Sequence, residues 1–344
     1  MAAGKRRTRS GNPAVRAGST AESVGRPPGV TSSGMAAPAP VDPDRALPPD
    51  GVAFPQILRG ETYVWWRSLL GVVFGLGMFL LLTTVISQLV VFSAWALGAP
   101  DHSYPTYVNE AFAFERPSGM LAVNLGIITL IPITIALMLL VHVVSPRWLV
   151  SVQPGIRWRY LLGCLVVALV VLNGVNLLAT LTTGPLHVAP QKGFWGFLAV
   201  IVLTSPLQAA AEEIFFRGYL MQALGSLVAR PWFGVVVSSV VFALLHGTQN
   251  LPLFVDRLAF GLLAALLVWR TGGLEAGIAA HVINNVFAFV IAGLTSTIAT
   301  LKAINEITWL NAAFDVGGFA VFALLAYGLS RLLRLRTRVD LGTL

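Results

Sequence analysis

The sequence predicts an all-α membrane protein, a bundle of about eight transmembrane helices with both the N and C termini in the cytoplasm. Hydrophobic residues make up 56% of the 344 residues and charged residues only 11%, and the mean hydropathy is +0.77. Soluble domains carry about 25% charged residues, so this chain has too few to cover a core in water. It also contains repeated apolar stretches of about 20 residues, the length that crosses a bilayer as a helix.

Eight apolar stretches account for the predicted helices. The sixth is short and ends at Trp269-Arg270, and the fourth and fifth are separated by only a few residues around Arg230. Pro231 suits the first turn of the helix that follows, so a tight hairpin is expected there. In chain order the predicted spans are residues 68–98, 120–144, 160–182, 194–227, 231–250, 257–271, 275–298 and 312–333.

The distribution of lysine and arginine predicts the orientation of the bundle. Basic residues are concentrated before the first span and after the last, and positive segments stay in the cytoplasm. With eight spans the basic loop at 145–159 also falls inside, whereas the acidic loop at 99–118 falls outside. The net charge of +8 is therefore attributed to topology and to attraction to anionic lipid, and no nucleic-acid partner is expected.

Composition divides the chain into four predicted parts. Residues before Phe54 are rich in Ala, Gly, Pro, Ser and Arg and contain almost no large apolar side chains, which is typical of disorder. A single cysteine, Cys164, excludes a disulfide framework and a cysteine metal site. The predicted parts are a disordered basic cytoplasmic tail (1–58), helices one to three (59–193), a transmembrane core of helices four to seven (194–299), and the last helix with a basic cytoplasmic tail (300–344).

Three charged residues lie inside the fourth predicted span: Glu212, Glu213 and Arg217. Each ionised side chain at the centre of a membrane helix costs roughly 2.5–3.5 kcal/mol on insertion scales. Glu213 and Arg217 are four residues apart and can pair on one helix face. Glu212 points about 100° away from Glu213, so this pair does not account for it. We therefore expect Glu212 to have a function.

Two further polar pairs recur at helical spacing in the second half of the chain. Phe242 and His246 are four residues apart in the fifth predicted span, and His281 and Asn285 are four residues apart in the seventh. Ionisable residues within membrane helices face the interior of the bundle. The simplest interpretation is that these side chains and Glu212 converge on one site.

Together these residues resemble the motif set of the CAAX prenyl endopeptidase and bacteriocin-processing family, also called the Abi family of intramembrane proteases. The order of the motifs and the spacing within each of them match, and the resemblance covers roughly residues 194–299. The motifs here are Glu212-Glu213-x-x-x-Arg217, Phe242-x-x-x-His246 and His281-x-x-x-Asn285.

The resemblance implies peptide hydrolysis within the membrane. Without a serine, cysteine or threonine nucleophile, hydrolysis needs a water activated by a general base and donors for the oxyanion of the tetrahedral intermediate. Glu212 is the predicted base, His246 shares and orients the water, and His281 and Asn285 are the predicted oxyanion donors. Glu213, Arg217 and Phe242 are predicted to support them.

No cofactor is expected, but a zinc site is an open alternative. Glu212, His246 and His281 form a two-histidine, one-carboxylate set with a fourth position for water. Against zinc, the chain has no HExxH motif, and a metal-bound Glu212 would leave only Glu213 as the base. The resemblance to prenyl endopeptidases likewise implies glutamate chemistry without a metal.

The sequence thus predicts a multi-pass protein of a bacterial plasma membrane, whose partners are the lipid bilayer and a peptide or protein substrate. The substrate is expected to be a membrane-associated or lipidated peptide that enters sideways or from the cytoplasm. One alternative is a non-proteolytic membrane scaffold or immunity-type protein of the same fold. A transporter is another, although transporters are often built from repeats in both halves, and the motifs here occupy one half.

Simple helix counting places His246 apart from its expected partners. In straight upright helices it lies about 22 Å deep, roughly 8–10 Å deeper than Glu212 and His281. The site therefore requires the fifth helix to tilt, or to begin in the cytoplasm before residue 231 reaches the bilayer.

Overall fold

The fold is described from a computed structural model, which covers residues 46–98, 101–181 and 187–343. The predicted disorder of residues 1–45 lies outside these residues. Within these described residues, seven helices are long and apolar enough to span a membrane, which confirms a polytopic helical bundle. The spanning helices are Trp65–Gly98, Pro117–His142, Trp158–Ala179 (continuing to Leu181), Phe194–Leu227, Leu251–Thr271, Glu275–Thr295 and Trp309–Leu332.

The helices, numbered along the chain, include several short segments. Two of the spans are interrupted, and short helices lie in the connections between spans. The numbered helices are α1 (Trp65–Gly98), α2 (Tyr104–Phe112), α3 (Pro117–Ile128), α4 (Leu130–Ala136), α5 (Trp158–Leu181), α6 (Phe194–Glu213), α7 (Met221–Leu227), α8 (Trp232–Leu244), α9 (Leu251–Thr271), α10 (Glu275–Thr295), α11 (Ile298–Lys302) and α12 (Trp309–Leu332). Segments of 3₁₀-helix lie at Phe54–Arg59, Pro146–Leu149 and Leu341–Thr343, and π-helix at Leu137–His142 and Ile214–Leu220.

The prediction of a fifth membrane span at residues 231–250 is wrong, because the helix in this region is shorter. Helix α8 has only 13 residues, which is about 20 Å, and it ends at Leu244. The chain then turns through Gly247, which has a φ of +81°, a value that glycine adopts without strain. Asn250 caps the next helix by accepting a hydrogen bond from the Leu253 amide, so α9 begins six residues before the predicted sixth span.

Both interrupted spans break for local reasons. Pro132 has no N–H to donate to the carbonyl of Ile128, and the helix breaks between α3 and α4 at Thr129. In the fourth span the α-helical pattern ends at Glu213, and π-helix continues from Ile214 to Leu220 before α7 begins. Short π-helical insertions often occur at functional sites, and this one begins directly after the paired glutamates.

Residues 46–58 belong to the predicted tail (1–58), and the structure describes an ordered segment there. The 3₁₀-helix Phe54–Arg59 packs against α7, and Phe54, Ile57 and Leu58 are buried. Arg59 Nε donates to the Ser226 carbonyl at 2.8 Å. Three apolar side chains in five residues are a weak signal within a long polar segment, which is why composition alone misses this helix.

The bundle has two ends, and the helices alternate between them. The terminal end carries residues 46–64, 143–157, 228–231, 272–274 and 333–343, and the far end carries 101–116, 187–193, 245–250 and 296–308. Backbone hydrogen bonds join segments within each end, such as Val152 to Gly272 at the terminal end and Asn250 to Asn305 at the far end. Helix α10 packs against both α5 and α6, and α9 packs between α8 and α12.

Candidate active site

A buried ion pair lies at the centre of the bundle, between Glu213 and Arg217. Arg217 Nη1 donates to Glu213 Oε1 at 2.8 Å, and the two side chains are 0% and 1% exposed. The structure thus contains the pairing that four-residue spacing predicts. Because the pair lies in a dry environment, its geometry resists rearrangement, since separating the two would leave a charge uncompensated.

Aromatic rings enclose the guanidinium of Arg217. Its central carbon lies 4.0 Å from the ring centre of Phe242 and 5.4 Å from that of Phe260. Nε and Nη2 of Arg217 have no hydrogen-bond partner among the described residues, so the ring faces stabilise this side of the cation. Phe242 also contacts the rings of His246 and His281, at centroid distances of 4.6 and 6.1 Å.

His281 connects the two glutamates. Its Nδ1 lies 2.8 Å from Glu213 Oε1, and its Nε2 lies 3.5 Å from Glu212 Oε2. Glu213 Oε1 thus accepts hydrogen bonds from both Arg217 and His281. A carboxylate that accepts from Nδ1 fixes the orientation of the imidazole, so Nε2 is the nitrogen presented to Glu212.

Glu212 faces a different environment from Glu213. Its side chain is 14% exposed, and its Oε1 accepts a hydrogen bond from Gln208 Nε2 at 2.7 Å. Gln208 in turn accepts from Asn285 Nδ2 at 3.2 Å through its own Oε1. Glu212, Gln208, Asn285 and His281 therefore form one hydrogen-bonded and charged group where α6 meets α10.

His246 lies beside this group and not within it. The residue follows the end of α8, is exposed, and its Nδ1 donates to the Phe242 carbonyl at 2.8 Å. A carbonyl oxygen can only accept, so Nδ1 carries a proton and a neutral ring leaves Nε2 as an acceptor. The ring of Phe242 contacts both imidazoles, that of His246 and that of His281.

Close packing of α10 on α6 depends on a glycine. A Cβ atom added to Gly277 would lie 2.7 Å from Glu213 Oε2, too close for a normal contact. Glu213 Oε2 has no hydrogen-bond partner among the described side chains. The missing Cβ at Gly277 therefore gives the buried carboxylate the space that it occupies.

A second ion pair holds the start of α10, six residues before His281. The guanidinium of Arg157 forms a bidentate ion pair with Glu275. Nε donates to Oε1 at 2.8 Å, and Nη2 donates to Oε2 at 2.6 Å. Arg157 Nη1 also donates to the Thr271 carbonyl at 2.7 Å. These contacts tie the end of α9, the start of α10 and the start of α5 together, and so set the height of His281 in the bundle.

The structure brings Glu212, His281 and Asn285 together and places His246 beside them, and it shows two further differences. Gln208 is a site contact that the sequence analysis missed, and its position one turn before Glu212 is the signal that could have found it. The Asn285 amide donates to Gln208, so binding a substrate oxyanion would require it to leave that partner.

The predicted zinc ligands are not gathered in a metal-binding arrangement. Within residues 46–98, 101–181 and 187–343, no group of three or more His, Cys, Asp or Glu side chains is placed to hold a metal ion. Glu212 and His281 approach each other, whereas the His246 ring forms its hydrogen bond with the Phe242 carbonyl. The donor set of the zinc alternative does not fit a metal as it is arranged here.

A comparison with known protein families finds a similarity that covers these residues. Residues 194–287 match the family model described as type II CAAX prenyl endopeptidase, Rce1-like. All three motifs lie within the matched residues, which confirms the resemblance inferred from their spacing.

A similarity to one curated protein accompanies the family match. The uncharacterized protein YyaK of Bacillus subtilis strain 168 is 34% identical over 103 residues, which is 28% of this chain and 34% of the Bacillus protein. The chain thus matches about a third of the length of that relative. No solved structure matches this chain.

Proposed function

We propose that this protein is an intramembrane endopeptidase in which Glu212 activates the water that attacks a peptide bond. One observation carries the proposal: of two adjacent buried glutamates, Glu213 is occupied by a counter-ion, and Glu212 is partly exposed beside His281 Nε2. The match of residues 194–287 to the CAAX prenyl endopeptidase family supports the same kind of activity.

The two glutamates have different tasks in this proposal. Glu213 receives Arg217 Nη1 and His281 Nδ1 on one oxygen, which holds the helix and the imidazole in place. Among the described residues, the cationic group nearest to hydrogen-bond distance of Glu212 is Nε2 of His281, at 3.5 Å. A carboxylate without a fixed counter-ion can accept a proton from water, and general-base catalysis of this kind contributes about 10²–10⁴-fold.

Gln208 supports the orientation of the base. Its amide donates to Glu212 Oε1 at 2.7 Å, which leaves Oε2 facing His281. A water between Glu212 Oε2 and His281 Nε2 would contact both the base and a ring nitrogen. We place the attacking water at this point.

The oxyanion donors in this proposal are His281 and Asn285. His281 acts as a donor in its doubly protonated form, in which Nδ1–H binds Glu213 and Nε2–H faces the site. The two donors are one turn apart on α10, with the His281 ring held by Glu213 and the Asn285 amide held by Gln208. When substrate enters, the amide of Asn285 exchanges its bond to Gln208 for a bond to the developing oxyanion. One such donor is worth about 3–4 kcal/mol in the transition state.

His246 is placed at the edge of the site as a proton carrier. Because its Nδ1 donates to the Phe242 carbonyl, its Nε2 is available to water or to the leaving amine. The exposure of His246 gives it access to solvent or substrate that the buried His281 lacks. The substrate is a membrane-associated or lipidated peptide, and the protein acts in the plasma membrane.

A cleavage assay on the purified full-length protein in lipid nanodiscs tests the proposal. Glu212→Gln should lower turnover of a membrane-peptide library by at least about 10²-fold, and His246→Ala by a smaller factor. Glu61→Gln, an exposed glutamate at the terminal end, is the matched control and should leave turnover unchanged.

Two outcomes would contradict the proposed chemistry. Equal product formation by wild type and Glu212→Gln would remove Glu212 as the base. Loss of activity after treatment with a chelator, with recovery on adding zinc, would favour the zinc alternative with Glu212, His246 and His281 as ligands. We expect the chelator to leave turnover unchanged.

A further inference from the structure

The proposed catalytic group is closed toward the terminal end of the bundle. Every residue from Phe215 to Ser226 is buried, and so are the residues from Leu274 to Ala280 apart from the half-buried Ile278. These two segments lie between the catalytic group and the terminal end, and they cover the group from that direction.

A layer of short segments packs beneath these buried helices. Trp148 is buried, and its carbonyl accepts a hydrogen bond from Gln222 Nε2 at 2.9 Å. The 3₁₀-helix Phe54–Arg59 packs on α7, and Val339 forms backbone hydrogen bonds with Gly51 and Val52. Residues from both ends of the described chain thus cover the terminal end.

Toward the far end the same group is open. Leu244 to Thr248 are all exposed and include His246. On α10, the residues after His281 change from buried to partly exposed, and Asn284 and Asn285 are the first polar side chains among them. The opening therefore lies where α8 stops short, beside His246, Asn285 and Glu212.

Charge distribution relates the two ends to the two sides of the membrane. Eleven described basic residues lie at or next to the terminal end, and four lie at or next to the far end. Positive segments remain in the cytoplasm, so the terminal end is cytoplasmic and the far end faces outward. The eleven are Arg59, Arg67, Arg147, Arg157, Arg159, Arg230, Arg270, Arg331, Arg334, Arg336 and Arg338, and the four are Arg116, Lys192, Arg257 and Lys302.

From the burial pattern and the charge distribution we infer that the site receives its substrate from the outer side of the membrane. This inference rests on the proposed function. The substrate class is then the outward-facing part of a membrane-associated peptide or exported protein. This direction differs from the sequence-based expectation of entry sideways or from the cytoplasm, which stays a prediction. The scissile carbonyl of a peptide that enters from the outer side passes His246 and then reaches Glu212 and Asn285. It does not cross the buried segment Phe215–Ser226.

The side that each end faces can be measured by labelling of single cysteines. The chain has one cysteine, Cys164, which is fully buried, so Cys164→Ala provides the background. Thr248→Cys places a thiol at the far end, two residues from His246, and Ala229→Cys places one at the terminal end; both positions are exposed.

A membrane-impermeant maleimide should label Thr248→Cys in intact cells and Ala229→Cys only after permeabilisation. The reverse pattern would overturn the inference. Melting temperatures of both variants in detergent, compared with that of the background, establish that each thiol is read in a folded protein.

A cleavage measurement on sealed vesicles separates this inference from the proposed function. Quenched fluorescent amphipathic peptides with charged, impermeant ends are added outside right-side-out and inverted vesicles. We expect cleavage that depends on Glu212 in right-side-out vesicles only, with Glu212→Gln as the blank. Glu212-dependent cleavage only in inverted vesicles would overturn the direction of entry and leave the protease intact. Cleavage that is the same in Glu212→Gln would instead contradict the proposed function, whatever the labelling shows.

Discussion

The buried pair of Glu213 and Arg217 provides the sharpest prediction about stability. Glu213→Gln keeps the size of the side chain and removes its charge, so Arg217 loses its counter-ion in a position that is 1% exposed. Removing one partner of a buried ion pair costs about 3–5 kcal/mol. The two hydrogen bonds to Glu213 Oε1, from Arg217 and His281, keep an acceptor oxygen but lose its negative charge. Hydrogen bonds to charged groups are worth about 1.5–3 kcal/mol each and ordinary ones about 0.5–1.5 kcal/mol, so the weakening of both contributes to this loss.

A double-mutant cycle isolates the pairing from the effect on His281. Arg217→Met removes the cation and keeps an unbranched apolar chain beside Phe242. If the charges interact as the structure shows, the double variant Glu213→Gln/Arg217→Met is more stable than the sum of the single losses predicts, by at least about 2 kcal/mol. The free energies of unfolding are measured by denaturant titration in mixed micelles. Single losses that add within about 0.5 kcal/mol would refute a direct interaction between these two side chains.

Three further substitutions test the contacts around this pair. Gly277→Ala should destabilise the protein by about 1–3 kcal/mol because its Cβ meets Glu213 Oε2, whereas Gly317→Ala, with no heavy atom within 4 Å, should be neutral or stabilising in the same thermal melts. Gln208→Leu should lower kcat about tenfold, with little change in melting temperature, because Glu212 loses its orienting amide; an unchanged kcat would show that the amide is dispensable. Glu275→Gln should lower the free energy of unfolding, measured by denaturant titration, by about 3 kcal/mol, because it removes the charge of the bidentate ion pair with Arg157.

Much of the site could be predicted from sequence because its residues lie four apart on helices. That spacing determines which side chains share a face, and it pairs Glu213 with Arg217 without knowledge of the fold. The predicted bounds of the fourth span, 194–227, are also correct, since Arg230 and Pro231 mark its end. The roles assigned to Glu212, His246, His281 and Asn285 stay predictions.

Other features depend on contacts between helices, which a pattern along the chain does not contain. In the sequence, Gln208 is an ordinary polar residue of a membrane helix. Its role becomes visible in the structure, where its amide donates to Glu212 and accepts from Asn285. Helix α8 ends early because the chain turns at Gly247, although its apolar residues continue to Leu245. Hydropathy measures composition over a window and does not detect a turn inside that window.

The account rests on Glu212 as the group that removes a proton from water. The most direct test is the ratio of kcat for Glu212→Gln to that of wild type, measured at saturating peptide on samples with matching melting temperatures. Glutamine keeps an oxygen for the Gln208 amide and loses the basic carboxylate, so we expect the ratio to fall to about 10⁻² or lower. A ratio near one, from a folded variant, would show that another group performs the chemistry.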